Sequence, residues 1–200
     1  MGLFARSREY IEELAAELGG AAVAIPTDIT DPEQVESGFE RVREAFGPVD
    51  ILVNHASSGA RKGIGEISVA EFEQALNVSA TGAFRCSQEA LTDMRSDGGT
   101  IIFTGATSAV RGRGGAPGFS AGKFAARGLA ESMARELGPE GIHVAHVVID
   151  GQIATPGTED RDPETLLDPR AIADAYWTLV EQDRSAWTLE LDLRPHVEEF

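Results

Sequence analysis

Lys123 is one of only two lysines, with Lys62, in a chain whose other cations are arginines. It closes the segment Phe119-Ser-Ala-Gly-Lys123, inside a stretch with helical periodicity. Residues four apart share a helix face, so positions 119 and 123 point into one cleft. A compact ammonium there suits hydroxyl-bearing ligands and the control of a neighbour's pKa. Other candidates stand at the ends of apolar runs. Asp28, followed by Ile29, ends one run, and a carboxylate at a strand end can accept from an amino group of a bound base; the alternative is a cap for the next helix. Asn54-His-Ala-Ser57 ends another, and the small turn Ala56-Ser57 lets backbone approach a ligand closely. Asn77 is either a polar packing residue or a site residue. Arg6 fits bidentate recognition of a phosphate, or is a solvated arginine at a helix start. His55, His143, His146 and His196 lack metal spacing or a partner nucleophile, so core or surface roles are expected.

Gly59-Ala-Arg-Lys-Gly63-Ile-Gly65 has the glycine spacing of a phosphate loop. Such a loop needs a helix that starts within the glycines. Here Ser68-Val-Ala-Glu71 is a capping box that starts it later, so we read a plain loop.

These groups need a scaffold, and the chain supplies one. Short apolar runs alternate with amphipathic helices. Helices are expected at 7–18 (Tyr10, Ile11, Leu14 and Leu18 inward), from the capping box at Thr30-Asp-Pro-Glu33 to Phe46 (Val35, Phe39, Val42 and Phe46 inward), from Ser68 past Asn77, at 118–137 and at 171–181. Strands are expected at 21–25, 50–54, 100–104, 142–149 and 186–193, with a remnant at 2–5. Alternation at this spacing gives an α/β class with a Rossmann-like, doubly wound parallel sheet, its strands covered on both faces. One domain over 1–200 is expected. Loops fall at 57–67, 111–117 and 152–168; the last reads as mobile.

The 33 acidic residues against 17 basic give a net charge of −16. Such a surface repels nucleic acid and anionic lipid. No apolar run approaches the roughly 20 residues of a membrane span, and the start lacks a secretory signal. Cys86 is the single cysteine, which excludes an internal disulfide and a Cys-rich zinc site. A cytoplasmic location fits.

Five motifs in order resemble the short-chain dehydrogenase/reductase family: Thr27-Asp28-Ile29, Asn54-His55-Ala56-Ser57, Asn77-Val-Ser-Ala-Thr-Gly82, Phe119-Ser-Ala-Gly-Lys123 and Gly151-Gln-Ile-Ala-Thr155. The resemblance implies an oxidoreductase acting on a small-molecule carbonyl/alcohol pair. It implies NADP(H), favoured over NAD(H) through Arg6, held by Asp28, Ile29, Asn54, Ala56, Ser57, Lys123, Ile153 and Thr155. Asn77 and Lys123 take the family's catalytic Asn and Lys positions. It also implies a homodimer or homotetramer, packed through Phe124, Leu129, Met133 and Leu137.

Departures accompany the resemblance. Phe119 stands where the family carries its proton-transferring Tyr, and Ala106 where it carries Ser; Thr107 and Ser108 are adjacent, with Ser108 a substitute candidate. Asp150-Gly151 replaces Pro-Gly. Met1 falls inside what resembles the family's second strand, so about one strand–turn–helix unit, roughly 30 residues, is expected upstream. Without its glycine-rich turn, binding of an anionic cofactor should be severely weakened, with no NADPH binding measurable by calorimetry. A non-catalytic nucleotide- or partner-binding protein of the same fold, and a fragment that binds nothing, are the other readings.

The acidity has its own test. If it is an adaptation to salt, the melting temperature rises from about 0.1 M to about 2 M KCl as screening relieves self-repulsion. An unchanged midpoint assigns the charge to ordinary solubility.

Overall fold

A computed structural model describes residues 1–198. Its strands are β1 (Gly2–Ala5), β2 (Val23–Pro26), β3 (Ile51–Asn54), β4 (Gly99–Thr104), β5 (Ile142–Ile149), β6 (Gln152–Ile153), β7 (Leu166–Leu167) and β8 (Glu190–Leu193). Its helices are α1 (Arg8–Glu17), α2 (Pro32–Phe46), α3 (Val69–Leu76), α4 (Ala83–Asp97), α5 (Pro117–Leu137) and α6 (Pro169–Val180). All ladders are parallel: β1 with β2, β3–β4–β5–β8 in that order, and β6 with β7.

The alternation of side chains along β4 and β5 builds the two faces of the α/β fold. Ile101, Phe103, Ile142 and Val144 pack with Val35 and Phe39 of α2, Met94 of α4 and Ala130 of α5. Ile102, Ala145 and Val147 point the other way, onto Leu179 of α6. β5 is buried at all eight positions, as a central parallel strand should be.

β3 departs from that expectation. It pairs with β4 alone among the described residues, and its other edge is open; Ile51 is 39% and Val53 43% exposed. The β1–β2 pair has no ladder to it. What spans the interval is the start of α4. Arg85 donates from Nη1 to the Thr30 carbonyl at 2.9 Å, and Asn54 Nδ2 donates to Ser87 Oγ at 3.1 Å. A Cβ on Gly82 would lie 2.7 Å from Ile29 Cδ1. The ends of β2 and β3 are thus held by one helical turn.

Several local expectations are corrected. On α1 only Ile11 is buried; Tyr10 and Leu18 are exposed, because one short helix covers only the edge pair. Phe46, in the last turn of α2, is exposed as well. The cap of α2 is Asp31, whose carboxylate accepts from the Glu33 and Gln34 amides at 3.0 and 3.3 Å, and Pro32 takes the first helical position. Thr30 instead turns back on Asp28. The chain at 184–186 is a single helical turn, and β8 begins only at Glu190. The 152–168 loop is closed at its ends by the β6–β7 pair. Met133 and Leu137 are buried inside the chain and cannot serve a second subunit, whereas Phe124 remains exposed.

The cap assignment is testable by urea unfolding. Asp31→Ala should cost about 1 kcal/mol through the two lost amide bonds. Thr30→Ala should cost clearly less. The reverse order would return the cap to Thr30.

Candidate active site

The C-terminal ends of β3, β4 and β5 bring the site together, and Thr104, the last residue of β4, is its hub. Its carbonyl accepts from Lys123 Nζ at 2.7 Å. Its hydroxyl lies 2.8 Å from the Tyr176 hydroxyl of α6 and 3.1 Å from His55 Nδ1, just beyond β3. One residue therefore joins α5, α6 and the β3 loop.

Lys123 is 4% exposed, yet among the described residues no carboxylate pairs with it. Burial alone lowers its pKa from 10.5 to about 8. The Phe119 ring centroid lies 5.8 Å from its nitrogen, a weak cation–π contact. The expected common face of 119 and 123 is present. The 55–63 loop folds onto it: a Cβ on Gly59 would stand 2.6 Å from Phe119 Cβ, so only glycine fits that approach. This is a packing role. The helix begins at Val69 behind the Ser68–Glu71 capping box, and the plain-loop reading of 59–65 stands.

A core or surface role is expected for His55, and the structure shows the residue exposed, with Nδ1 3.1 Å from Thr104 Oγ1. Burial and then the Lys123 charge lower its pKa below 6.5. The other two central histidines keep the core role: His143 bonds the Leu179 and Thr188 carbonyls and stacks on Trp187 at 4.9 Å, while His146 bonds Glu190.

Asn77 opens a six-residue π-helical stretch, Asn77–Gly82, and is exposed there. Such irregular turns re-aim side chains inside long helices. Ser108 is 3% exposed in the short turn after Ala106. Thr107 turns to Asp150, with 2.5 Å between its Oγ1 and the carboxylate.

Asp150 is fully buried just past β5. Arg111 Nη2 bonds both its oxygens, at 3.0 and 3.2 Å, and Arg194 Nη2 stands at 3.4 Å. Replacing the Pro of Pro-Gly, this carboxylate ties the 107–111 turn to β5. The sequence showed the replacement but not the tie.

The remaining candidates line the same end. Arg6 and Asp28 follow the adjacent strands β1 and β2. Asp28 Oδ1 accepts from the Thr30 amide and hydroxyl, which lowers its pKa, with a smaller contribution from Arg6. The local turn thus uses one oxygen of the proposed ligand carboxylate. Ala56 and Ser57 are exposed in the loop after Asn54. Ile153 pairs with Leu167 on β6, and Thr155 makes a turn with Thr158.

The family pattern described as short chain dehydrogenase matches residues 1–165. The chain belongs to the short-chain dehydrogenase family. The mycobacterial 3-oxoacyl-[acyl-carrier-protein] reductase MabA of Mycobacterium tuberculosis is 36% identical over 139 residues, which are 69% of this chain and 56% of that protein. A 3alpha-hydroxysteroid dehydrogenase of Mediterraneibacter gnavus is 34% identical over 147 residues, 70% of this chain and 56% of that one. The chain thus spans just over half the length of these relatives. Among solved structures, an alcohol dehydrogenase of Thermococcus sibiricus complexed with 5-hydroxy-NADP superposes with a TM-score of 0.86 at 27% identity, covering 99% of this chain and 86% of that one. A 3-ketoacyl-(acyl-carrier-protein) reductase of Brucella melitensis complexed with NADH gives 0.88 at 25% identity, covering 98% and 86%.

The buried ammonium makes stability depend on pH. The unfolded chain keeps the Lys123 proton up to about pH 10.4, whereas the folded chain releases it near pH 8. Between those values the unfolded state binds more protons, so stability rises with pH; below them both states are charged and the penalty is complete. Lys123→Met should remove that rise. It should also stabilise the fold near pH 7, by up to an order of 3 kcal/mol. Unfolding midpoints of both proteins from pH 7 to 10 measure this, and parallel curves would contradict it.

Proposed function

We propose that the chain carries the cofactor and catalytic cleft of an NADP(H)-linked oxidoreductase acting on a small carbonyl/alcohol pair. The observation that carries this reading is Lys123: among the described residues it is an ammonium buried without a carboxylate, with one N–H on the Thr104 carbonyl and no hydrogen-bond acceptor for its other donors. That donor set fits the hydroxyls of a nicotinamide ribose. Asn77, on the irregular turn of the preceding helix, is the second polar group of the catalytic face. Asp28 retains a carboxylate oxygen for an adenine amino group, Ile29 flanks it, and Arg6, close enough to act on Asp28, fits a 2′-phosphate. Asn54, Ala56 and Ser57 would meet the adenosine side, Ile153 and Thr155 the nicotinamide side. When bound, the cofactor supplies the hydride exchanged with the substrate carbon. The chain binds and orients both and excludes water. Assembly as a homodimer or homotetramer, with the exposed Phe124 on its surface, and a cytoplasmic location belong to the same reading.

A second reading has one specific observation in its favour. Phe119 and Ala106, at the family's Tyr and Ser positions, carry no hydroxyl, so a nucleotide- or partner-binding protein without hydride chemistry is the alternative.

Two measurements separate them. NMR titration should show NADPH perturbing Arg6, Asp28 and Lys123, weakly, and about tenfold more tightly than NADH, since a charge-assisted phosphate contact is worth of the order of 1.5 kcal/mol. Equal affinities would remove the NADP preference; no perturbation at Lys123 would remove the cofactor reading. With cofactor bound, Phe119→Tyr with Ala106→Ser should raise carbonyl reduction, since a placed general acid is worth about 10²-fold or more. No turnover by either protein would favour the binding role.

A further inference from the structure

The cleft as read above has no phenol at position 119, yet it holds another proton-carrying group. His55 is tethered at one ring nitrogen only: Nδ1 meets Thr104 Oγ1 at 3.1 Å, and Thr104 Oγ1 meets the Tyr176 hydroxyl at 2.8 Å. The ring's contact with Thr104 is half-buried although the residue as a whole is exposed, and among the described residues Nε2 has no protein partner. It heads the loop whose Gly59 rests on Phe119. Lys123 is anchored to the same Thr104, through its carbonyl. We propose that His55 is the acid–base group of this cleft, with Thr104 and Tyr176 as the residues that position it. The proposal rests on the oxidoreductase reading above.

The step balances without a further reactant. In the oxidative direction the alcohol gives its hydroxyl proton to His55 Nε2, and its C–H hydride, with both electrons, passes to the oxidised nicotinamide. The carbonyl forms, and the imidazolium returns the proton to solvent. Reduction runs the same transfers backwards. For Nε2 to accept a proton, Nδ1 must carry the ring's own proton, so Nδ1–H donates to Thr104 Oγ1 in the neutral ring and in the imidazolium alike, while the Thr104 hydroxyl donates to Tyr176. The hydroxyl pair therefore holds one ring tautomer through both protonation states.

The electrostatics sets the direction of the pH dependence. Facing His55 are Lys123 from α5, the charged neighbour, and Tyr176 from α6, whose own pKa is raised by burial and which stays neutral. Burial and Lys123 both favour neutral imidazole, so its pKa falls below 6.5. Near pH 7 the ring is a base ready for alcohol oxidation. Oxidation should rise with pH to a plateau, with a midpoint below 6.5, and reduction should fall through the same midpoint.

The test uses the full chain with NADP(H) and a panel of small secondary alcohols and ketones. The His55 ring pKa is read by NMR, and rates are read against pH. Support requires three results: the rate midpoint coincides with the NMR pKa; His55→Gln loses about 10²-fold in turnover with unchanged cofactor affinity; and Phe119→Tyr shrinks that loss by supplying a second proton carrier. Thr104→Val, which removes the tether but leaves the ring, should move the His55 pKa and lower the rate by less. Equal rates and pH profiles for the parent and His55→Gln overturn the inference alone. Cofactor binding without turnover in the parent overturns the oxidoreductase reading, and this inference with it. A His55 pKa at or above 6.5 overturns the electrostatic account of its role.

Discussion

The Thr104 peptide and side chain are the point on which the cleft depends. A parallel strand ends with backbone groups that have no ladder partner. In β4 the last carbonyl is taken by Lys123, and the hydroxyl of the same residue by Tyr176 and His55. Each bond alone is worth about 1 kcal/mol. Their common anchor matters more, because it fixes α5, α6 and the β3 loop relative to one strand end. That end is itself rigid. β4 is buried nearly along its length and is paired on both edges, with β3 and β5. The precision of the site therefore comes from the sheet, while its chemistry comes from the loops.

The same logic explains the second anchor, at β5. Asp150 follows the most buried strand, and its carboxylate would be costly there without partners. Arg111, Thr107 and Arg194 supply them, and in doing so they bind the 107–111 turn and the chain after β8 to the sheet. Removing one partner of such a buried pair leaves a charge uncompensated, which costs more than the pair contributes. Thr107, adjacent to Ala106, is thereby committed to structure.

The fold was legible in the sequence where one physical signal dominated. β5, buried at every position, matched its apolar run residue for residue, and the Ser68–Glu71 box began α3 where its capping chemistry required. Legibility failed where tertiary context decided. Tyr10 and Leu18 have helical spacing, but the element they face is too small to cover them. Thr30 and Asp31 both suit a cap, and Asp28 settled the choice by claiming Thr30. Ile51 and Val53 read as a buried strand, yet exposure depends on what lies beside the strand, and periodicity carries no record of that. At the site, Lys123 stood out by residue type. His55, Thr104 and Tyr176 did not, because their meeting is a long-range contact between three elements. The one signal for His55 was its place directly after a strand-end asparagine.

Lys123 then poses a question of energy that the fold alone does not answer. A methionine of similar volume would fill the space under Phe119 without the desolvation penalty. An ammonium with a pKa drawn down to about 8 is held at neutral pH against the preference of its surroundings. Packing does not account for such a group, and neither does the single bond to Thr104, since a carbonyl does not neutralise a charge. A ligand bearing hydroxyls and negative charge would supply both missing parts, and binding it would offset a cost already present in the free protein. On the proposed cofactor reading, the free chain is strained toward its complex. Preorganised polar groups act in this way: their reorganisation is complete before the ligand arrives, so more of the interaction appears as affinity and as rate.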